Sequence, residues 1–96
     1  MEKNSRYTIE ISDQADKDIS KIIKSGNKSD LKKEESFLYE IEIDPRSGTG
    51  HPEQLKNFEG EVWSRKINKK DRFVYVILED KILVTVVRAL GHYLDK

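Results

Sequence analysis

VWSRKINKKDRFVYVILEDKILVTVVRA, residues 62–89, decides the fold. Three runs in it are rich in β-branched and aromatic residues: 62–67, 72–78 and 82–89. A polar turn at 68–71 and a tight turn at Glu79-Asp80 separate them. Such runs joined by short turns predict an antiparallel meander. The middle run is apolar on both faces, because Phe73, Tyr75 and Ile77 alternate with Val74, Val76 and Leu78. Helices can cover one face of such a sheet. The other face calls for loops, helix ends, a partner protein or self-association.

Upstream, residues 7–11 alternate apolar and polar and predict a further strand. Ser12 and Asp13 then supply an N-cap and a first-turn acid. Ala15, Ile19, Ile22 and Ile23 form the apolar stripe of a helix, which Gly26-Asn27 ends. A second helix is predicted from Ser29-Asp30, with Leu31, Leu38 and Ile41 on its buried face and residues 32–35 in solvent. Residues 37–43 also alternate with period two, but the charged residues before them are strong helix formers. Asp44 precedes Pro45, which ends the element. Residues 46–50 read as a loop, and residues 52–55 as a short helical turn with Pro at its first position. The sum is one α+β domain spanning 1–96. Two N-terminal helices pack on one face of a twisted, mainly antiparallel sheet of four to five strands.

Composition excludes several classes. Of the 96 residues 38% are charged and none is cysteine, so neither a disulfide framework nor a thiolate metal site is available. No apolar run is long enough to span a membrane, no apolar leader core begins the chain, and a cytoplasmic location is expected. No phosphate-binding glycine motif and no paired-histidine motif occurs, so neither cofactor nor metal is expected. The formal net charge is zero, yet residues 45–96 hold ten Lys/Arg against seven Asp/Glu. Such a bias suits a polyanion-facing side.

What remains for chemistry is an acid, Glu53, with the cations Lys56, Arg65, Lys66 and Arg72 and the pair His92-Tyr93. That set suits cleavage of RNA without a metal, where the nucleophile is the substrate's own 2′-hydroxyl. A carboxylate or histidine can take its proton, a histidine can protonate the leaving 5′-oxygen, and arginine forks match phosphate oxygens. Taken singly, each residue also has an ordinary reading: surface arginines in ion pairs, an exposed terminal histidine, a packed tyrosine, a turn acid. Arg65 and Arg72 fall near one edge of the sheet, and alternation alone leaves open whether they share a face.

The residues from Asp44 to Tyr93 resemble the YoeB (Txe) group of bacterial toxin ribonucleases in the RelE-like superfamily. The resemblance rests on Asp44, Pro45, Gly48 and Gly50 in a DPxxGxG loop, on Pro52-Glu53 with Leu55-Lys56, and on Gly60. It continues through Trp63-Ser64-Arg65, Arg72 with Val74-Tyr75, and His92-Tyr93. It implies a toxin that cleaves mRNA in the ribosomal A site, held inactive by a cognate antitoxin, with a homodimer among its states. It implies Glu53 as general base, His92 as proton donor, Arg72 on the phosphate and Tyr93 as an orienting phenol. Arg65, Lys66 and Lys56 fall on positions that hold RNA. The chain departs from the group at Lys66, where Arg is usual, at Asp71, where His is common, at His51, where Lys is common, and in its tail at residues 94–96. An acid at Asp71 could pair with Arg72. Two rival readings stand beside this one: a ParE-like toxin of the same fold that binds gyrase, and a catalytically degenerate module that only binds an antitoxin.

Overall fold

The computed structural model describes residues 6–91. Five strands form one sheet in the order β1-β5-β4-β3-β2. They are β1 (Thr8–Ile11), β2 (Glu53–Leu55), β3 (Glu61–Lys66), β4 (Arg72–Leu78) and β5 (Leu83–Arg88). The meander of β3, β4 and β5 is antiparallel, β2 adds antiparallel to β3, and β1 closes the far edge parallel to β5. Two helices, α1 (Asp13–Ser25) and α2 (Lys28–Ile43), connect β1 to the rest. Among the described residues no helix is long and apolar enough to cross a membrane.

Local signals set most of these boundaries. The Ser12 side chain accepts the Ala15 N–H at the start of α1, and Gly26 ends it in the left-handed region at φ 75°. Asn27, not Ser29, caps α2 by accepting the Asp30 N–H, so this helix begins at Lys28. Phe73, Tyr75 and Ile77 of β4 meet Val84 and Val86 of β5 and Phe37 and Ile41 of α2 in the core. Phe37, rather than Leu31 or Leu38, thus leads the buried face of α2, while Leu38 packs at its margin. In α1 the buried positions are Ala15, Asp18 and Ile22, and Ile23 is exposed.

Residues 52–55 differ from the sequence expectation. They form no helical turn: Glu53, Gln54 and Leu55 pair with Ser64, Trp63 and Val62. A free edge of β3 offers backbone bonds that a three-residue helical turn cannot match, and Pro52 sits just outside the strand, where its missing N–H costs nothing. On the sheet face away from the helices Val62, Ser64 and Val74 are buried, so the bare apolar area there is narrower than the alternation of β4 implies.

Glu34 is a second departure. It belongs to the stretch expected in solvent, yet it is only 2% exposed. Neither carboxylate oxygen has a hydrogen-bond partner among the described residues. Burial, reinforced by the negative charges of Asp18, Asp30 and Asp71, pushes its pKa up to about 8. The side chain is therefore a neutral acid at pH 7, while the unfolded chain ionises it near the ordinary value. Because the folded pKa is the higher one, stability is fully present below the unfolded pKa. It falls as pH rises toward 8 and levels off above. Glu34→Gln removes that dependence. The variant should match the parent near pH 4.5 and exceed it by roughly 2–3 kcal/mol at pH 8.5, after a discount for local relaxation. Urea denaturation at the two pH values measures the difference.

Candidate active site

The registers place the sequence-derived candidates on the sheet. Lys66 of β3 lies directly opposite Arg72 of β4, and Glu53 of β2 lies opposite Ser64, two residues from Lys66. Side chains two residues apart on a strand share a face, as do those directly opposite across a ladder. Glu53, Ser64, Lys66 and Arg72 therefore share the face turned away from α1 and α2. From strand spacing and rise, the Cα atoms of Glu53 and Arg72 are about 12 Å apart, a gap that two long side chains and a phosphate can fill. Glu53 and Lys66 are exposed and Arg72 is half-buried. Lys56 follows β2 by one residue and is exposed, at the end of the sheet opposite to Arg72.

Arg72 is held by one terminal nitrogen of its guanidinium. Its Nη1 donates to the carbonyls of Asn68, Lys69 and Asp71 at 3.0, 3.4 and 3.1 Å. Among the described residues these are its side-chain bonds. Asp71 does not pair with it. The Asp71 carboxylate accepts from Asn68 Nδ2 at 2.9 Å and from the Gly91 N–H at 3.0 Å. The departure that threatened the arginine is spent on other partners.

Arg65 requires a correction. The sequence placed it with Arg72 on phosphate or RNA. One residue of alternation puts it instead on the helix-facing side, opposite Phe73, with 0% exposure. Its Nε donates to the Tyr75 hydroxyl (3.0 Å) and its Nη1 to Glu40 Oε1 (2.7 Å) and the Thr49 carbonyl (3.2 Å). Nη2 reaches the carbonyls of Ser47 (2.8 Å) and Pro45 (3.4 Å). The guanidinium also lies 5.7 Å from the ring centres of both Phe37 and Tyr75. It organises the loop of residues 44–50 and offers no free face to a substrate.

This arrangement explains the loop's glycines. Gly48 and Gly50 have φ of 129° and 81°. A Cβ on Gly48 would collide with the Glu40 carboxylate and come within 2.8 Å of Arg65 Nη1, and one on Gly50 would sit 2.6 Å from the Phe37 ring. The GTG segment thus lets backbone carbonyls close around a buried cation. Gly50 also accepts from the Lys66 N–H at 2.7 Å, tying the loop to the strand that carries Lys66. Asp44 braces the loop start by accepting from Arg46 N–H and Ser47 Oγ. These contacts, the Arg46 N–H first, hold its carboxyl below its ordinary pKa.

Composition did not reveal the roles of Glu40, Asp18 and Tyr75. Tyr75 donates to the Pro45 carbonyl at 2.7 Å, and burial raises its pKa. Asp18 accepts from Arg88 Nε (2.8 Å) and the Ala89 N–H (2.9 Å). Its carboxyl is held low against burial by bonds from Arg88, Ala89 and Gln14. A polar residue on an otherwise apolar helix stripe, as Asp18 is beside Ala15 and Ile22, was the available signal. His92 and Tyr93, expected as proton donor and orienting phenol, lie outside the described residues.

Residues 11–93 match the model of the YoeB-like toxins of bacterial type II toxin–antitoxin systems. Toxin YoeB of Mycobacterium bovis is 43% identical over 57 residues, 59% of this chain and 65% of the relative. The chain thus spans less than two thirds of the length of that relative. Toxin YoeB of a Synechocystis strain is 36% identical over 63 residues, 66% of this chain and 73% of the relative. Among solved structures, the YoeB dimer from Staphylococcus aureus superposes with a TM-score of 0.76 at 30% identity, covering 92% of this chain and 99% of that one. The YoeB of the heterotetrameric YoeB-YefM complex from the same organism gives 0.74 at 29% identity, covering 92% and 99%. With 83 consecutive residues in the family match and the RelE-type sheet beneath them, the chain belongs to the YoeB-like toxin family of bacterial type II toxin–antitoxin systems.

Proposed function

We propose that this toxin is an endoribonuclease that cuts mRNA bound in the ribosomal A site by metal-independent acid–base catalysis. The observation that carries the reading is one sheet face, turned away from the helices, that holds an exposed carboxylate, Glu53, together with the opposed cations Lys66 and Arg72. Glu53 removes the proton from a ribose 2′-hydroxyl. The oxygen attacks the adjacent phosphorus while the Arg72 guanidinium, with Lys66, takes up charge on the phosphate oxygens. His92 protonates the departing 5′-oxygen, and Tyr93 orients the reacting group. The products are a 2′,3′-cyclic phosphate and a 5′-hydroxyl fragment. Lys56 holds flanking RNA. Arg65 serves the site indirectly, by holding the loop that precedes Glu53. A gyrase-binding toxin has no need of a base beside a phosphate clamp.

The toxin acts in the cytoplasm, where its ribosomal target lies, and is restrained by an antitoxin protein, as the S. aureus YoeB assembles with YefM. A homodimer is a further state, by analogy with the S. aureus YoeB dimer. The test adds the purified chain to programmed ribosomes and to the same mRNA free in solution. Discrete cuts ending in 2′,3′-cyclic phosphate on ribosome-bound message, with at least tenfold fewer on free message, are expected. Intact message accompanied by gyrase inhibition would overturn the reading.

A further inference from the structure

Asp71, beside the proposed phosphate arginine, is a buried acid with partners of its own. The carboxylate is 8% exposed and sits at the start of β4, beside Arg72. Its Oδ1 accepts the Gly91 N–H at 3.0 Å, and its Oδ2 accepts from Asn68 Nδ2 at 2.9 Å. The next backbone donor, the Arg72 N–H, gives its bond to the Gly91 carbonyl at 3.0 Å. Both polar backbone atoms of Gly91 are thus held by two consecutive residues at the edge of the proposed phosphate site. One of those residues is the phosphate arginine itself.

The hold is buttressed on both sides. Asn68 Oδ1 accepts the N–H groups of Lys70 and Asp71, and its Nδ2 also reaches Asp30 of α2 at 2.9 Å. Two residues upstream of Gly91, Asp18 of α1 holds the Ala89 N–H and Arg88 Nε. Segment 89–91 leaves β5 fastened at 89 by one buried carboxylate and at 91 by another. Gly91 itself is at φ 85°, a left-handed turn that suits glycine. His92 is the next residue in the chain.

We infer that Asp71 is a positioning residue: its carboxylate fixes Gly91, the residue that immediately precedes the proposed proton donor His92 in sequence, against the start of the strand that carries Arg72. This inference rests on the reading of the chain as a ribonuclease with His92 as proton donor. A general acid works only within hydrogen-bond reach of the leaving oxygen, and small displacements cost large factors in rate. A histidine at position 71 cannot present a two-oxygen acceptor to Asn68 and Gly91 together. An aspartate supplies one oxygen to each of them.

The experiment compares Asp71→Ala, Asp71→Asn and Asn68→Ala with the parent in single-turnover cleavage of ribosome-bound mRNA. The amide exchange of Gly91 is followed by NMR in parallel. Asp71→Ala should lower the saturating cleavage rate ten- to a hundredfold and leave the ribosome concentration for half-maximal rate within threefold. The Gly91 amide should lose protection. Asp71→Asn keeps an acceptor for Gly91 and should retain at least a third of the rate and the protection. Asn68→Ala loosens the turn but leaves the Gly91 bond, and should cost under fivefold. The inference is overturned if the Gly91 amide is unprotected in the parent, or if Asp71→Ala cleaves at the parental rate. It is equally overturned if Asn68→Ala loses as much rate as Asp71→Ala, since the effect is then one of turn stability. If the parent cleaves no RNA, the ribonuclease reading itself fails. The Gly91 exchange comparison still reports whether the clasp exists.

Discussion

Replacing Glu53 with glutamine is expected to slow cleavage of ribosome-bound mRNA by about 10²–10⁴-fold, the usual contribution of a general base. The exchange removes the proton acceptor while keeping side-chain length and shape. Glu53 is exposed on the edge strand β2, where substitutions ordinarily change stability by about 0.5 kcal/mol or less. The backbone pairing of β2 with β3 does not depend on its carboxylate. Urea midpoints of parent and variant should therefore coincide while the cleavage rates separate. On a lawn of cells, induced expression of the variant should no longer arrest growth. Retention of full cleavage by Glu53→Gln would transfer the role of base to another group. The nearest alternative in the chain is His51, exposed in the loop before β2.

Arg65 is expected to behave in the opposite way. Arg65→Met should destabilise the fold by roughly 3 kcal/mol, the low end of the scale for breaking a buried charge pair, because the Glu40 carboxylate left behind is partly exposed. Five acceptors each lose one bond, namely the Tyr75 hydroxyl, Glu40 and the carbonyls of Pro45, Ser47 and Thr49, and Pro45 and Glu40 keep a second donor in Tyr75 and Thr49. A chain of this size has about 5–15 kcal/mol of total stability, so the loss takes a large share of it. Activity should fall only in proportion to the unfolded fraction and should recover on cooling, or on adding a stabilising osmolyte. Arg65→Lys keeps the charge, but a single ammonium cannot span acceptors arrayed around a planar fork. It should fall between parent and Arg65→Met. A stable, folded Arg65→Met that fails to cleave would return this residue to the RNA-contacting role that its motif suggested. Thermal and urea unfolding followed by circular dichroism, set beside single-turnover rates, separates the two outcomes.

These contrasts show how legibility divides along the chain. The helix starts and stops could be read locally because a cap is a bond between near neighbours, as at Ser12 with Ala15. The meander was legible because its turns are short and its strands are dense in β-branched and aromatic residues. Residues 52–55 were misread because both of their options are weak alone, and the choice fell to an available edge on β3. Glu34 was misread because a charged residue among Lys32, Lys33 and Glu35 carries no local mark of burial. Its position is set by what packs against α2.

For the candidate site, sequence alone determined which residue types were present and in what order. It also determined that Arg65 and Lys66, as neighbours on a strand, must face opposite ways. Which of the two faces solvent is decided by the side on which α1 and α2 pack. Their apolar residues, Phe37 and Ile41 above all, take the face shared by Phe73 and Tyr75, and Arg65 goes with them. The strand registers then bring Glu53 to the side of Lys66 and Arg72, across residues far apart in the chain. The Asp71–Gly91 bond joins positions twenty residues apart, and no local pattern foretells it. Local propensity and capping are short-range energies and can be read along the chain. The faces, the registers and the clasp are long-range pairings, set only when the whole core closes.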